Sequence, residues 1–453
     1  MKMTVTLFKI LMISTLTGLG AHANAMADSS EGFYSTKQPY QVPATTTYSA
    51  PPAGFELFSI QHVARHGSRL LTSAKYDDLS LQLWQKAEAE GGLTESGKKF
   101  GELLQLLIAY HEKNGYGNLS ERGRSEHYNM AQRTYNRDQA LFDEAAAKGL
   151  QFDVFSSGQD RAVDSGINFI DRLKSLNPKL ESSFKDMVYD QAMLYFHSDD
   201  KNYRDYLKKD PDLEAAVNEI YAKPEVVAAS RTILQRVYTD AFLDKLEKGG
   251  LTLKDRSKGK SQIRDIPSAA SALYNLYIIT PGIPELGIDL TPYVDTESAK
   301  IFAFATDAEQ FYKKGPGFAG KDVTYRMAQP LLDSFFANID SRIGGAKTTG
   351  AFRFAHAEEI MPFASLLKLK GSEVQAPVGQ LYSYENNPWR GAEVVPMAAN
   401  VQWDVYSDGK DKQLVRMLYN ENEVHFSQAC HAVPEHEYFY ELEELRKCLA
   451  PAK

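Results

Sequence analysis

The chain has 453 residues, of which 43% are hydrophobic, 11% aromatic and 24% charged. That composition excludes collagen-like, low-complexity and wholly disordered chains. With 51 Lys+Arg against 59 Asp+Glu the formal charge is −8, which argues against a general nucleic-acid binder, because such proteins need a basic face to replace counterions. Two cysteines rule out a disulfide scaffold and a four-Cys zinc module, and the length allows two or three domains.

The first segment reads as an address. Lys2 and Lys9 precede the apolar run Ile10 to Gly20, which is short for a membrane span, and Ala23-Asn24-Ala25 and Ala25-Met26-Ala27 both fit small-x-small cleavage. A secretory signal peptide over 1–27 is expected. Its removal moves the formal charge from −8 to −10, and no membrane segment is expected after it. In an exported chain Cys430 and Cys448 are expected to pair, with two buried free thiols as the alternative.

Residues 28–52, rich in Ser, Thr, Pro and Tyr, read as an extended lead-in. Phe55 to Ala64 reads as a buried strand, and Leu81 to Ala89 and Thr94 to His111 as helices. Ser120 is a plausible N-cap for a helix from Glu121 to Arg133. A short strand at Gln151 to Phe155 precedes a helix from Gln159 to Leu173, with Val163, Gly166, Ile167 and Ile170 on its apolar face. From 186 to 299 the pattern is mostly helical, including Leu213 to Ile220, Val226 to Lys248 and Ala269 to Ile279. Strands are expected at Lys300 to Ala305 and Ala351 to Ala355. A helix is expected over Val323 to Ile343, kinked or broken at Pro330, and another over Ala357 to Leu367, burying Ile360, Phe363, Ala364 and Leu367. The expectation is an α/β domain of 28–185 and 300–453, a mixed sheet flanked by helices, with a mainly helical domain inserted at 186–299.

Chemistry collects at strand ends. The first strand runs into Arg65-His66-Gly67-Ser68-Arg69, the second into Ser156-Ser157-Gly158-Gln159-Asp160-Arg161, and the third into His356-Ala357-Glu358-Glu359. In open α/β sheets ligands bind beyond the carboxyl ends of strands, so three segments can meet in one pocket. Arg65, Arg69 and Arg161 offer planar forks matched to phosphate oxygens. A neutral His66 is a competent nucleophile toward phosphorus, and nearby arginines disfavour its imidazolium. Gly67 would let backbone and an unhindered N–H approach the phosphate. Glu358 is placed to protonate a leaving oxygen. The sum is phosphoryl transfer by positioning and charge neutralisation, with no metal or cofactor required.

Arg65-His66-Gly67-Ser68-Arg69 resembles the signature of the histidine acid phosphatases, branch two of the histidine phosphatase superfamily, and the resemblance spans nearly all of the chain after its leader. It implies a phosphoglycerate-mutase-like fold, transient phosphorylation of His66, and a phosphate cradle of Arg65, Arg69, Arg161 and His356. Most members carry His-Asp in the last motif. His356-Ala357-Glu358 is instead similar to the multiple inositol polyphosphate phosphatase clade, which implies Glu358 as the acid. Ser156 to Ser165, Tyr312-Lys313-Lys314-Gly315-Pro316-Gly317 and the late cysteine pair resemble that clade too. Leu71 stands where the family usually has Pro.

The implied substrate is a polyphosphorylated inositol such as phytate, which a net-negative protein binds only through a locally positive cleft. Lys75, Lys313 and Lys314 are candidates for its rim. For Arg133 and Arg137 a solvated face is the preferred reading. Glu358 and Glu359 are helix neighbours roughly 100° apart, so one of them, not both, should reach the leaving group. The rivals are a broad-specificity acid phosphatase, a mutase, and, from another class, a non-catalytic periplasmic receptor for phosphorylated ligands. A zinc enzyme lacks its partner motif, because no P-C-x-x-C or H-E-x-x-H occurs.

Overall fold

A computed structural model describes residues 33–44, 47–257, 259, 261–377 and 379–450. The expected signal peptide lies outside the described residues. Among those described, ten strands occur: β1 (Glu56–Arg65), β2 (Gln151–Ser156), β3 (Val188–Tyr189), β4 (Leu253–Lys254), β5 (Gln262–Ile263), β6 (Thr348–Ala355), β7 (Asn400–Ser407), β8 (Gln413–Tyr419), β9 (Asn422–Val424) and β10 (Phe439–Glu441). Eight form one mixed sheet in the order β10-β8-β7-β1-β6-β2-β3, with β9 on β8. β1, β6, β2 and β3 run parallel, while β7 lies antiparallel to β1 and β8 antiparallel to β7. The result is the α/β class with a mixed, helix-flanked sheet.

Central strands are buried on both faces, so β1 and β6 carry buried residues at successive positions and do not alternate with water. One face holds Phe352 and Phe354 against Phe169, beneath the helices Glu121–Arg137, Gln139–Lys148 and Asp160–Leu176. The other holds Phe335, Phe363 and Trp403 beneath Gln329–Ile343 and Ala357–Leu366. Several polar residues in this interior are bonded to one another. Gln61 bridges Asn338 Oδ1 (2.6 Å) and Arg353 Nη2 (3.1 Å), and His62 Nδ1 meets Gln402 Oε1 at 3.2 Å. These partners meet the cost of burying polar groups.

Several elements differ from expectation. Residues 300–305 are helical, inside Thr296–Lys314. The Asp295 carboxylate accepts from Ser298 N (3.1 Å), and Phe302, Ala305 and Ala308 are buried at helical spacing, which overrides the β-like look of Ile301 to Ala305. Val226 to Lys248 is two helices, Pro224–Gln235 and Asp240–Glu247. They part where Val237 O accepts from Thr94 N (3.0 Å) and Thr239 N donates to Gly92 O (2.9 Å). Pro330 breaks the segment 323–343: a 3-10 turn at Arg326–Ala328 precedes a helix that begins at Gln329 with Pro330 in its first turn. In Asp160–Leu176 the buried face is Ala162, Ser165, Gly166, Phe169, Ile170 and Leu173, while Ile167 is exposed. Gly166 seats this helix on Phe354, where a Cβ would come within 2.7 Å of the ring.

An apolar cluster separate from the sheet joins Leu79, Leu83, Phe100 and Leu104 to Ile233, Leu243, Leu273 and Phe302. It draws on the helices Lys75–Ala89 and Glu95–Asn114 as well as on 224–302. We propose that the helical domain expected at 186–299 shares its core with residues 75–114. Cys430 and Cys448 are disulfide-bonded, with Cα atoms 5.2 Å apart, and tie the loop before β10 to the last helix, Leu442–Cys448.

Candidate active site

Parallel pairing brings the three strand ends together. Arg65 of β1 is level with Ala355 of β6, and Ser156 of β2 with Phe354. The ladder continues one residue further, with His66 N donating to Ala355 O (2.9 Å) and Ser157 N to Phe354 O (3.1 Å). His66, Ser157 and His356 therefore leave the sheet side by side. The His66 and His356 rings stand 5.4 Å apart, edge on, and the Ser157 hydroxyl lies 2.8 Å from His356 Nε2.

His66 Nδ1 lies 2.8 Å from Gly67 O. A carbonyl can only accept, so Nδ1 carries the hydrogen and Nε2 keeps its lone pair. Burial, then the charges of Arg161, Arg65, Arg69 and His356, hold this ring well below the ordinary imidazole value. Neutral His66 surrounded by arginines, as expected from sequence, is what the arrangement produces. His356 is held low by burial and Arg161 in the same way, against the pull of Glu358.

Arg65 is buried and anchored through Nη1 to Thr36 O and Val395 O, each at 2.6 Å. Arg69 Nη1 donates to Leu70 O (2.7 Å). Burial holds Arg65, Arg69 and Arg161 below the usual guanidinium value. The buried Nε atoms of all three, with His356 Nδ1, have no hydrogen-bond partner among the described residues. Unpaired buried donors on one cluster suit a site built for an anion.

The first-motif loop is fastened from behind. Ser68 N and Oγ both donate to the Glu126 carboxylate (2.6 and 2.8 Å), and Leu70 N donates to Asn118 O (3.0 Å). Leu71, in the place of the family's Pro, is buried, and its carbonyl accepts from Gly117 N (2.7 Å). The role read for Gly67 changes. Its N–H donates to Ser165 Oγ (3.1 Å) instead of facing an open pocket. A Cβ at 67 would stand 2.4 Å from Gly123 O, so glycine serves the close approach of this loop to the helix Glu121–Arg137.

The two glutamates divide as helix geometry requires. Glu358 is half-buried, and its Oε1 lies 2.9 Å from Lys314 Nζ. Burial opposes its ionisation, but Lys314, His197 and His356 together hold the carboxyl well below the ordinary range. Glu359 is fully buried, accepts from His356 N (3.1 Å), and meets His197 Nδ1 at 2.7 Å. Burial pushes it up to about 7.

Not every residue singled out in the sequence lies in this cluster. Lys313 Nζ is bound to Glu309 Oε1 (2.5 Å), and Lys75 Nζ lies 3.9 Å from the Tyr76 ring centroid. Arg133 and Arg137 are not a solvated face. Arg133 makes a bidentate bond to Glu421, with Nη2 to Oε2 at 2.7 Å, and Arg137 is buried beside Asp138 at 3.2 Å. Arg133 ties the helix Glu121–Arg137 to the turn between β8 and β9. Sequence reasoning missed Glu126, Ser157, Ser165, His197 and Lys37. Ser157 and Ser165 lay inside a quoted motif, whereas the other three carried no local signal.

The family model for the histidine phosphatase superfamily (branch 2) matches residues 56–420. Among solved structures, the multiple inositol polyphosphate phosphatase of Bifidobacterium longum in complex with inositol hexasulfate is 37% identical, with a TM-score of 0.89, over 92% of this chain and 97% of that one. Its complex with phosphate is 36% identical with a TM-score of 0.88, over 92% of this chain and 97% of that one. Multiple inositol polyphosphate phosphatase 1 of Gallus gallus is 23% identical over 439 residues, 93% of this chain and 89% of the relative.

Proposed function

The chain belongs to the histidine phosphatase superfamily, branch 2, and from that membership we propose that it is a phosphomonoesterase acting on inositol polyphosphates such as phytate. The observation that carries this reading is a neutral His66, its Nδ1 engaged with Gly67 O, ringed by Arg65, Arg69, Arg161 and His356. The 37% identity to an enzyme solved with inositol hexasulfate supports the substrate class.

In this reading the transferred phosphoryl group lies among the three guanidinium groups and His356, which neutralise its charge. His66 Nε2 attacks phosphorus, the P–O bond to the inositol breaks, and the leaving oxygen takes a proton from Glu358. Water then attacks the phosphohistidine, its proton returns to the Glu358 carboxylate, and inorganic phosphate leaves. Glu358 must hold a proton for the first half. Its carboxylate is paired with Lys314 and held low. Substrate phosphates compete for Lys314, loosening that pair and raising the proton affinity of Glu358. Lys314 thus belongs to substrate binding, and Lys75 and Lys313 are rim residues at most.

Activity should persist well to the acid side of the ordinary imidazole value. Arg161 is the first of the cations acting on His66, so Arg161→Gln lets the imidazolium form at higher pH. The acid limb of kcat/KM for an aryl phosphate is expected to move to higher pH, and an unmoved limb would argue that another group sets it.

Export accompanies this reading. The leader over 1–27 and the Cys430–Cys448 disulfide suit a periplasmic or secreted enzyme, and no helix among the described residues is long and apolar enough to cross a membrane. The direct test is a time course of inositol hexakisphosphate with purified protein, resolving each lower inositol phosphate. Stepwise release of inorganic phosphate is expected. Release from aryl phosphates alone would replace this reading with a broad-specificity acid phosphatase.

A further inference from the structure

The lead-in segment is built into the active site. The 3-10 turn Ser35–Lys37 is held from several sides. Ser35 Oγ donates to Asp307 Oδ1 (2.5 Å), and the buried Asp307 carboxylate also accepts from Tyr384 OH (2.8 Å) and Gly391 N (3.0 Å). Thr36 O accepts from Arg65 Nη1 (2.6 Å), and Gln38 O from Met397 N (2.8 Å). Ser35 sits at φ 50, a left-handed conformation that a serine keeps only where its surroundings impose it. All of this fixes Lys37 one residue from the carbonyl that anchors an arginine of the cradle.

The half-buried Lys37 Nζ reaches the neighbouring Thr36 Oγ1 at 3.5 Å, the long limit of a hydrogen bond. The charges acting on it come from three elements. They are Arg65 on β1 with Arg69 just beyond it, Lys314 at the end of the helix Thr296–Lys314, and Glu358 in the first turn of Ala357–Leu366. Three are cations and one is an anion already paired with Lys314. The leading charges on Lys37 are Arg69 and Arg65, followed by Glu358 and Lys314. Lys37 is therefore within electrostatic range of both the arginine cradle and the Glu358–Lys314 pair.

We propose that Lys37 is a further substrate-binding residue, contacting a phosphate of the inositol polyphosphate that is not the one being transferred. This inference rests on the phosphatase reading above. Burial, Arg69 and Arg65 hold its amine well below the usual lysine value. A polyanion reverses the local field, so the amine takes a proton from solvent as the substrate arrives.

Two measurements test this. Lys37→Met should raise KM for inositol hexakisphosphate about tenfold or more, leave KM and kcat for 4-nitrophenyl phosphate within about twofold, and be partly rescued by Lys37→Arg. The aryl phosphate also shows that the variant folds. Calorimetry of myo-inositol hexasulfate in two buffers of different ionisation enthalpy, near pH 8, should show greater proton uptake by the wild type than by Lys37→Met. Equal losses on both substrates, an unchanged KM for the hexakisphosphate, or identical proton uptake would each overturn the assignment. If the wild type released no phosphate from inositol hexakisphosphate, the substrate class would fall, and the hexasulfate comparison would still decide Lys37.

Discussion

Replacing His66 by alanine is expected to lower phosphate release from inositol hexakisphosphate by about 10⁴-fold or more, because it removes the imidazole nitrogen that takes the phosphoryl group. Binding of inositol hexasulfate should survive, since Arg65, Arg69, Arg161 and His356 remain. The variant is expected to fold, because the loop around residue 66 is held by Glu126, Asn118 and Ser165. Acid lability marks the intermediate: wild-type enzyme quenched during turnover in alkali should carry phosphate on residue 66, and the variant none. Sustained turnover in the alanine variant would dismiss the phosphohistidine step. A protein that bound the hexasulfate equally well with or without His66 and never released phosphate would be a receptor.

Glu358→Gln is expected to separate substrates by their leaving groups. An inositol oxygen is a poor leaving group and needs a proton as it departs, so its hydrolysis should slow by about 10² to 10³-fold. A 4-nitrophenolate leaves without help and should lose less than about tenfold. Glu359→Gln should not reproduce this split, because that carboxylate is buried against His197 and the His356 amide. Equal losses on both substrates for Glu358→Gln would remove it as the acid. The alkaline side of the profile carries a second signature. If substrate frees Glu358 from Lys314, the limb for the hexakisphosphate should lie at higher pH than the limb for the aryl phosphate.

Much of this site was legible along the chain because its parts are local. Each reactive cluster follows an apolar strand and leads into a helix, and the third supplies that helix's own capping box through His356 and Glu359. The strand–helix rhythm was enough to suggest an α/β sheet with ligands beyond its carboxyl edge. Where local pattern misled, a tertiary contact explains it. Residues 300–305 form a short apolar run of the kind a buried strand shows, yet Phe302, Ala305 and Ala308 are buried at helical spacing. On Asp160–Leu176 the expected Gly166 and Ile170 are buried, Gly166 against Phe354, but Ile167 is exposed and Phe169 takes the core position. Arg133 reads as solvent-facing because its partner Glu421 lies far along the chain, and Arg137 because its burial beside the adjacent Asp138 is set by tertiary packing.

The sequence by itself determined the chemical inventory: an imidazole nucleophile, three guanidinium forks, a second histidine and a carboxylic acid, each at the end of a strand or the start of a helix. Only the tertiary structure decided their states of protonation and their division of labour. Protonation depends on burial and on charges in space, and those charges come from distant segments: Lys314 acts on Glu358 across 44 residues, and His197 on Glu359 across 162. Two adjacent glutamates, equal in the sequence, thus become one ionised carboxylate in the pocket and one buried near neutrality behind it. Lys37, silent in a polar leader, becomes a site residue because Arg65 is anchored to its neighbour's carbonyl.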